Sequence, residues 1–380
     1  MRSSFLVWEN LFMPWPGSAT LLAPLAPWFD QVRRDMPWRA RDLDAPHPDP
    51  YAVLVSELML QQTQVATVIP YFHRWMTRFP TIETLAAASQ DDIHKLWEGL
   101  GYYRRARYLQ AAAQAIHRQG WPTDLKGFLE LPGLGAYTAA SVASIAFLLP
   151  EPALDGNAFR VLARILGIEQ DPKKEARRLQ IWVQEALRVH GPSRLTQALM
   201  ELGALICGPA PKCLECPLAG ACEAHQQNAT DRIPMRVLKP KPVNFPIWLV
   251  ALQAKGYWLV RPPSHTGLLA GLWSWPSIAQ ETPADMAADN VWPFGLLQWR
   301  AWSGWTQVYT HRRELVLPVA LEMESTFPSS RWQWVEEKGL AALPMGKRDQ
   351  RLRELLRTEP SMDNEAPPMA RLLEQLRLNC

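Results

Sequence analysis

Two acidic residues in this sequence have neighbours that would give them opposite protonation states. Glu57 lies in the apolar segment YAVLVSELML, where burial would disfavour the carboxylate and let the side chain keep a proton near neutral pH. Asp155 precedes the helical segment GNAFRVLARILG, and a helix N-terminus stabilises a negative charge. Cleavage of a glycosidic bond uses such an acid and anion together. The plainer alternatives are a surface glutamate and a helix cap, with Asn157 as a second capping residue.

Four cysteines lie close together and could hold an inorganic centre. Five, two and five residues separate Cys207, Cys213, Cys216 and Cys222. Thiolates at such spacing can close around one centre without a large loss of loop entropy. Zinc is the alternative, but zinc sites usually pair two CxxC units, and only one is present here. The pattern favours an iron–sulfur cluster in a reducing cytosol over zinc or disulfides.

The composition sets limits on the partners of the chain. The net charge is only +3, so a nucleic-acid surface would have to be a local basic patch. The apolar run 139–149 is shorter than the roughly 20 residues of a membrane helix. Glu9 and Asn10 interrupt the apolar N-terminal stretch, which argues against a signal peptide. We therefore expect a cytoplasmic protein with no membrane partner.

The periodicity of apolar residues predicts which elements position these side chains. Spacings of three and four residues predict helices over 51–76, 92–118, 137–149, 158–166 and 176–206. A stretch rich in proline and basic residues predicts a linker, and the β-branched and aromatic segments beyond it predict strands. Helices are expected again near 345–377. The predicted organisation is an N-terminal extension, an all-α domain, a linker and an α+β domain, with bounds 1–24, 25–225, 226–245 and 246–380.

A glycine-bearing turn joins two of the predicted helices. In LPGLGAYTA, Gly133 and Gly135 would let the backbone turn tightly and present N–H groups at a helix N-terminus, where a phosphate can bind. Taken alone, such a segment is more often an ordinary turn.

Several of these motifs, in this order, resemble one known family. SELMLQQTQVATVIPYF, LWEGLGYYRRAR, LPGLGAYTAA, LDGNAFRVLAR and ELGALIC, followed by the four cysteines, resemble the MutY-type adenine DNA glycosylases of the helix-hairpin-helix superfamily. The resemblance implies a six-helix barrel at about 46–150 and a subdomain of 25–45 and 151–225 that carries a [4Fe-4S] cluster. The first gap between cysteines is five residues here, whereas the family usually has six.

The resemblance also implies roles for individual residues. Glu57 would protonate adenine opposite 8-oxoguanine or guanine in duplex DNA, and Asp155 would stabilise the sugar cation, supported by Tyr137 and Asn157. The implied contacts to the base and the duplex are Arg39 and Glu201 in the adenine pocket, Gln62, Thr63, Leu100 and Tyr102 at the opened base pair, and Arg104, Arg105 and Arg107 at phosphates. For the three arginines, a solvated helix face is the alternative. Related lyases carry a lysine where Tyr137 stands, so we expect a monofunctional enzyme.

The C-terminal region resembles a different part of the same family. RPPSHTGLLAGLWSWP is similar to its Nudix-like domain, but no cluster of glutamates for magnesium follows, so pyrophosphate hydrolysis is not expected. The family recognises 8-oxoguanine through a Phe-Ser-His loop, and the matching residues here are Tyr309, Thr310 and His311. An ordinary hairpin with an exposed histidine is the alternative. The implied location is the nucleoid of a bacterial cytoplasm, and a monomer is expected because such an enzyme must move along DNA.

Overall fold

Helices form the N-terminal part of the chain in a computed structural model that describes residues 15–235, 242–264, 267, 269–279, 296–309 and 312–360. The predicted class, a helical domain followed by an α+β domain, is confirmed. The α-helices of this part are α1 (Ser18–Leu22), α2 (Leu25–Val32), α3 (Pro50–Leu60), α4 (Val65–Arg78), α5 (Ile82–Ala86), α6 (Gln90–Trp97), α7 (Arg104–Gln119), α8 (Leu125–Glu130), α9 (Ala136–Phe147), α10 (Gly156–Leu166), α11 (Ala176–His190), α12 (Pro192–Leu205) and α13 (Glu223–Gln226).

Three of the long predicted helices are interrupted. The segment 51–76 breaks between α3 and α4, and 92–118 breaks between α6 and α7. The segment 176–206 breaks at Gly191, whose φ of +85° ends α11, and Pro192 then begins α12. Periodicity of apolar residues does not detect such breaks, because it indicates which face of a segment is buried and not where the backbone leaves the helix.

The sequence predicted that the helical domain starts at residue 25, but the helical unit begins earlier. Leu22 is fully buried in one core with residues of α11 and α12. The indole of Trp182 donates a hydrogen bond to the carbonyl oxygen of Pro16 at 2.7 Å. Residues 15–24 therefore pack as part of this unit, because α1 covers apolar surface on α11.

The chain divides by packing into two units whose bounds differ from the predicted domains. One unit consists of Met1–Ala87 and Tyr108–Leu238, and the other of Ala88–Arg107 and Lys239–Cys380. The sequence placed residues 88–107 in the helical domain on the basis of their helical periodicity. Their contacts group them with the C-terminal unit instead.

The C-terminal unit is built on a mixed β-sheet. Its strands are β1 (Val243–Ala254), β2 (Tyr257–Val260), β3 (Ser277–Ala279), β4 (Leu296–Ala301), β5 (Trp305–Val308), β6 (Arg312–Met323) and β7 (Gln333–Glu336). The strand order is β4-β6-β1-β2-β7, with β3 paired to β1 and β5 paired to β6. β1 and β6 run parallel, and the other pairs are antiparallel. Helices α14 (Glu337–Leu340) and α15 (Lys347–Leu355) follow.

The turn between β1 and β2 lies where the sequence predicted it. Lys255 and Gly256 have φ values of +51° and +80°, as a two-residue hairpin turn requires. Beyond this hairpin, the predicted strands in QVYTHRRELVLPVALEM correspond to β5 and β6. In the described ranges, the helices are too short or too polar to span a bilayer.

Candidate active site

Glu57 lies in a helix that is buried on all sides. The carboxylate of Asp49 caps the first turn of α3 by accepting a hydrogen bond from the N–H of Ala52 at 3.1 Å, and Pro50 occupies the first helical position. Every residue of α3 from Tyr51 to Met59 is buried, and Glu57 is only 6% exposed. The capped helix therefore holds a carboxylic acid inside an apolar core.

Burial and a nearby charge favour the protonated form of Glu57. Its pKa is raised to about 7, chiefly by burial, and the negative charge of Asp155 acts in the same direction. Hydrogen bonds act in the other direction, chiefly the one that Ser141 Oγ donates to Glu57 Oε2 at 2.6 Å. The result is an acid that can give up a proton near neutral pH.

Tyr137 and Ser141 lie one turn apart on α9 and contact the same carboxyl group. Burial raises the pKa of Tyr137 well above its ordinary value, and the charges of Glu57 and Asp155 raise it further. The tyrosine therefore stays a neutral phenol, and its hydroxyl lies 4.0 Å from the sulfur of Met200. Position 137 therefore offers a phenol and not the amine nucleophile that a lysine would supply.

Asp155 is the N-cap residue of α10 and makes two hydrogen bonds. Its Oδ1 accepts from the N–H of Ala158 at 2.7 Å, and its Oδ2 accepts from the side-chain amide of Asn157 at 3.0 Å. Both bonds fix the orientation of the Asp155 side chain. Capping and catalysis are thus both compatible with this geometry, because only part of the carboxylate is used by the cap.

The carboxylate of Glu201 is already paired inside the protein. Arg34 donates to both of its oxygens at 2.7 and 2.9 Å, and Arg39 lies 3.5 Å from Oε2. Burial alone would raise the pKa of Glu201, but the hydrogen bonds and charges of the two arginines lower it. Arg39 also donates to Gln197 Oε1 at 2.8 Å. Glu201 therefore orients Arg34 and Arg39, and Gln197 joins the group.

Two of the predicted DNA contacts, Gln62 and Thr63, lie in the break after α3. Gln62 is exposed and has a φ of +57°, a conformation that non-glycine residues rarely adopt. The N–H of Thr63 donates to the carbonyl oxygen of Leu60 at 3.1 Å and closes the turn. The break therefore presents Gln62 on a strained loop.

Tyr102 lies in the second break, which belongs to the C-terminal unit. Its φ is +49°, and the neighbouring Gly101 has a φ of +78°. Tyr102 is 48% exposed, whereas Leu100 is only 6% exposed. Of these two predicted contacts, Tyr102 is accessible to a ligand at the surface and Leu100 is buried.

Arg105 supports this loop, and its predicted role as a phosphate contact is wrong. The residue is 5% exposed, and its guanidinium donates to the carbonyl oxygens of Leu100 and Gly101 at 3.3 and 3.0 Å. It also lies 5.3 Å from the ring centres of Trp97 and Tyr102. Burial lowers the pKa of Arg105 to about 10. A single sequence cannot distinguish this buried arginine from the exposed Arg104 next to it.

The hairpin between α8 and α9 has two glycines with different constraints. Gly133 has a φ of +78°, and a Cβ atom there would lie 2.2 Å from Cγ of Tyr108. Gly135, the N-cap residue of α9, has open space around the position of a Cβ atom. Gly133 is therefore required by the fold, while Gly135 leaves the N-terminus of α9 uncovered.

Gly133→Ala should lower the free energy of unfolding by roughly 2–5 kcal/mol, because the left-handed backbone costs about 1–2 kcal/mol and the crowded ring about 1–3 kcal/mol. The matched variant Gly135→Ala should change it by less than about 0.5 kcal/mol. Urea denaturation followed by circular dichroism measures both values. Equal effects of the two variants would contradict this account of the hairpin.

The four cysteine side chains line a single cavity. Arg164, Leu202 and His225 also line it, and all four cysteines are free thiols. The pKa of Cys216 is raised to about 11, chiefly by burial, and the other three cysteines act in the same direction. Within the described ranges, no group of three possible ligands stands at the spacing of a single-ion site. The four thiols fit a thiolate-ligated inorganic centre. That this centre is an iron–sulfur cluster stays a prediction.

Tyr309 directly follows β5, and its side chain is half-buried. Its N–H donates to the carbonyl oxygen of Arg312 at 2.9 Å, and its hydroxyl donates to Glu314 Oε2 at 3.3 Å. Burial raises the pKa of Tyr309. Thr310 and His311, the other two residues predicted to read the lesion, lie outside the described residues.

Three residues of the site were not found from the sequence. Ser141 was detectable in principle, because it follows Tyr137 by four residues and so shares its helical face. Gln197 stands in the same relation to Glu201. Arg34 contacts Glu201 across 167 residues of sequence, and no local pattern indicates such a pair.

Comparisons with known proteins agree with these motifs. The description "HhH-GPD superfamily base excision DNA repair protein" matches residues 55–185. An adenine DNA glycosylase of Schizosaccharomyces pombe is 33% identical over 328 residues, which cover 70% of this chain and 71% of that protein. One of Arabidopsis thaliana is 36% identical over 303 residues, which cover 69% of this chain and 48% of that protein.

Solved structures are also similar in part. A thermostable thymine-DNA glycosylase is 26% identical, covers 56% of this chain and 97% of its own, and has a TM-score of 0.48. The chain spans less than half the length of the Arabidopsis thaliana and Rattus norvegicus relatives that it matches.

Proposed function

Because the chain belongs to the adenine DNA glycosylase family, we propose that it hydrolyses the bond between adenine and deoxyribose in duplex DNA where adenine stands opposite 8-oxoguanine or guanine. The observation that carries the proposal is the buried Glu57, whose pKa is raised to about 7 and which feels the charge of Asp155. Such an acid and anion are the two groups that glycosidic cleavage requires.

The reaction begins with a base that must leave the helix. Adenine in a stacked duplex is out of reach, so the enzyme extrudes it and fills the gap. Tyr102 supports this step, because its ring is half exposed on a loop in a strained conformation. Gln62 and Thr63 would contact the base left behind, and Gly133 and Gly135 would bind phosphate at the N-terminus of α9.

Bond cleavage then divides between the two carboxyl groups. Glu57 transfers its proton to the adenine base, the bond to the sugar carbon breaks, and adenine leaves as a neutral molecule. The carboxylate of Asp155 stabilises the sugar cation, and water adds its oxygen to that carbon. The proton released by water goes to the carboxylate of Glu57, which restores the acid. Tyr137 and Asn157 keep the two groups oriented, and Arg39 faces the base.

Cys207, Cys213, Cys216 and Cys222 would hold a [4Fe-4S] cluster, which supplies iron–thiolate bonds that cross-link the loop after α12. The fit rests on the convergence of all four thiols on one cavity. No step of the hydrolysis requires a change of redox state.

The test is excision of adenine from duplexes that carry A opposite 8-oxoguanine, A opposite G, or A opposite C. We expect excision that is fastest opposite 8-oxoguanine, and the Thr310→Ala and His311→Ala variants should reduce that preference. An inert protein would contradict the proposal.

Borohydride trapping tests the monofunctional character separately. An amine nucleophile forms a Schiff base with the sugar, and borohydride converts this into a stable adduct. Because Tyr137 occupies the nucleophile position, we expect little trapped adduct while adenine is released normally. An abundant adduct would instead indicate a lyase.

A further inference from the structure

One short segment of the C-terminal unit contacts both the loop that carries Tyr102 and the hairpin that carries Tyr309. We call residues 345–349, which lead into and include the first turn of α15, the bridging segment. Met345 and Asp349 are fully buried, and Arg348 is 4% exposed. Apart from the exposed Lys347, the segment is thus buried and is not a surface loop.

On one side, the backbone of the bridging segment is bonded to the loop before α7. The N–H of Met345 donates to Glu98 Oε1 at 3.0 Å, and its carbonyl oxygen accepts from the hydroxyl of Tyr103 at 3.3 Å. The same hydroxyl accepts from the N–H of Gly99 at 3.0 Å. These bonds hold the residues on both sides of the exposed Tyr102.

On the other side, Arg348 is bonded to the base of the β5–β6 hairpin. Its guanidinium donates to Glu314 Oε2 at 3.1 Å, and Glu314 also accepts from the hydroxyl of Tyr309 at 3.3 Å. Arg312 forms a second ion pair with Glu314. Glu314 is 1% exposed, so these donors offset the cost of burying its charge.

Asp349 completes the network and keeps Arg348 in place. It accepts from Nε and Nη2 of Arg348, both at 3.2 Å, and from the N–H of Trp275 at 2.8 Å. A planar guanidinium held by two carboxylates has little freedom to rotate. We expect this buried network to fix the orientation of Arg348 more than it adds stability.

We propose that the bridging segment sets the position of Tyr102 relative to the hairpin of Tyr309, so that recognition of the oxidised guanine and opening of the base pair are coupled. Glu98, Tyr103 and Arg348 are positioning residues in this arrangement. The inference rests on the proposed function and names the part of the chain that would link its two DNA-contacting loops.

The test is a double-mutant cycle on the preference for 8-oxoguanine over guanine, measured as a ratio of single-turnover excision rates. Tyr103→Phe removes two hydrogen bonds and keeps the ring, and it should lower the ratio by about 5-fold while excision opposite guanine changes less than about 2-fold. Arg348→Lys should lower the ratio similarly. If the segment couples the two loops, the double variant should fall by about 5-fold as well, and not by the product of about 25-fold.

The control is Tyr257→Phe, since Tyr257 is 40% exposed and begins β2 after the hairpin turn. It should leave the ratio unchanged. A normal ratio in Tyr103→Phe, or a multiplicative effect in the double variant, would overturn the coupling. If Arg348→Lys does not fold, two measurements on Tyr103→Phe still test the proposal. They are the ratio of excision rates and the fluorescence of 2-aminopurine placed at the adenine position. That fluorescence should rise more slowly than in the wild type.

The two proposals fail in different ways. A wild-type protein that does not excise adenine, or has no preference for 8-oxoguanine, overturns the proposed function and this inference with it. If the wild-type protein excises adenine with the expected preference and the variants show the same preference, the inference is overturned and the proposed function stands.

Discussion

Asp155→Asn is expected to lower the single-turnover rate of adenine excision by about 1000-fold or more, because it removes the charge that stabilises the sugar cation. Asparagine caps helices about as well as aspartate, so the bond from the N–H of Ala158 and the fold should persist. Affinity for the mispaired duplex should therefore remain, and a gel-shift titration with the variant measures it.

The matched control is Asp124→Asn. Asp124 caps α8 in the same way, accepting from the N–H of Gly127 at 2.8 Å, and it has no place in the proposed chemistry. The control should excise adenine at the wild-type rate. If Asp155→Asn also stayed within about tenfold of the wild type, the role assigned to Asp155 would be wrong.

The second large effect concerns the protonation of Glu57. Because its pKa is raised to about 7, Glu57 holds its proton below that pH and loses the proton above it. The single-turnover rate should be level at lower pH and fall tenfold per pH unit above about 7. Glu57→Gln, which cannot donate this proton, should lose about 100-fold or more and show no such fall.

Ser141 offers a sharper version of this test. Its hydroxyl stabilises the carboxylate of Glu57, so Ser141→Ala should raise the pKa of Glu57 and move the fall in rate to higher pH. Ser144→Ala is the control, because Ser144 lies on the same helix and bonds to Pro192 and Thr196 instead. Identical pH profiles for the two variants would remove Glu57 as the titrating acid.

The same raised pKa has a consequence for stability. A folded-state pKa of about 7, against 4.5 for an ordinary glutamate, means that the folded protein holds the proton more tightly. Stability linked to Glu57 is therefore fully present below about pH 4.5 and declines as the pH rises through about 7. By this linkage Glu57→Gln should be more stable than the wild type above pH 7, by about 3 kcal/mol at most. Urea denaturation at pH 6 and pH 8 measures the difference.

Local patterns in the sequence account for much of the site. The apolar residues around Glu57 indicate a buried acid, and the position of Asp155 before a helix indicates a cap. Lys255 and Gly256 indicate a hairpin turn. Each of these depends on neighbours within a few residues, so backbone preferences and helical periodicity are sufficient to predict it.

The breaks in the helices could not be predicted from the sequence in the same way. Periodicity predicted one helix over 51–76 and one over 92–118, yet each is interrupted at residues predicted to contact DNA. Gln62 and Tyr102 adopt left-handed backbone conformations that are costly in isolation. The packing of Arg105 and Trp97 against the second loop compensates for that cost, and the spacing of apolar residues does not indicate this packing.

The order of the elements, the fold class and the types of side chain available for catalysis all follow from the residues and their local spacing. Which of these side chains meet follows from packing alone: Ser141 with Glu57, Arg34 with Glu201, and residues 88–107 with the C-terminal unit. The two levels differ because helix and turn formation depends on short-range backbone energetics. Pairing between residues far apart in the chain depends on how whole helices and sheets pack, which the spacing of residues along the chain does not encode.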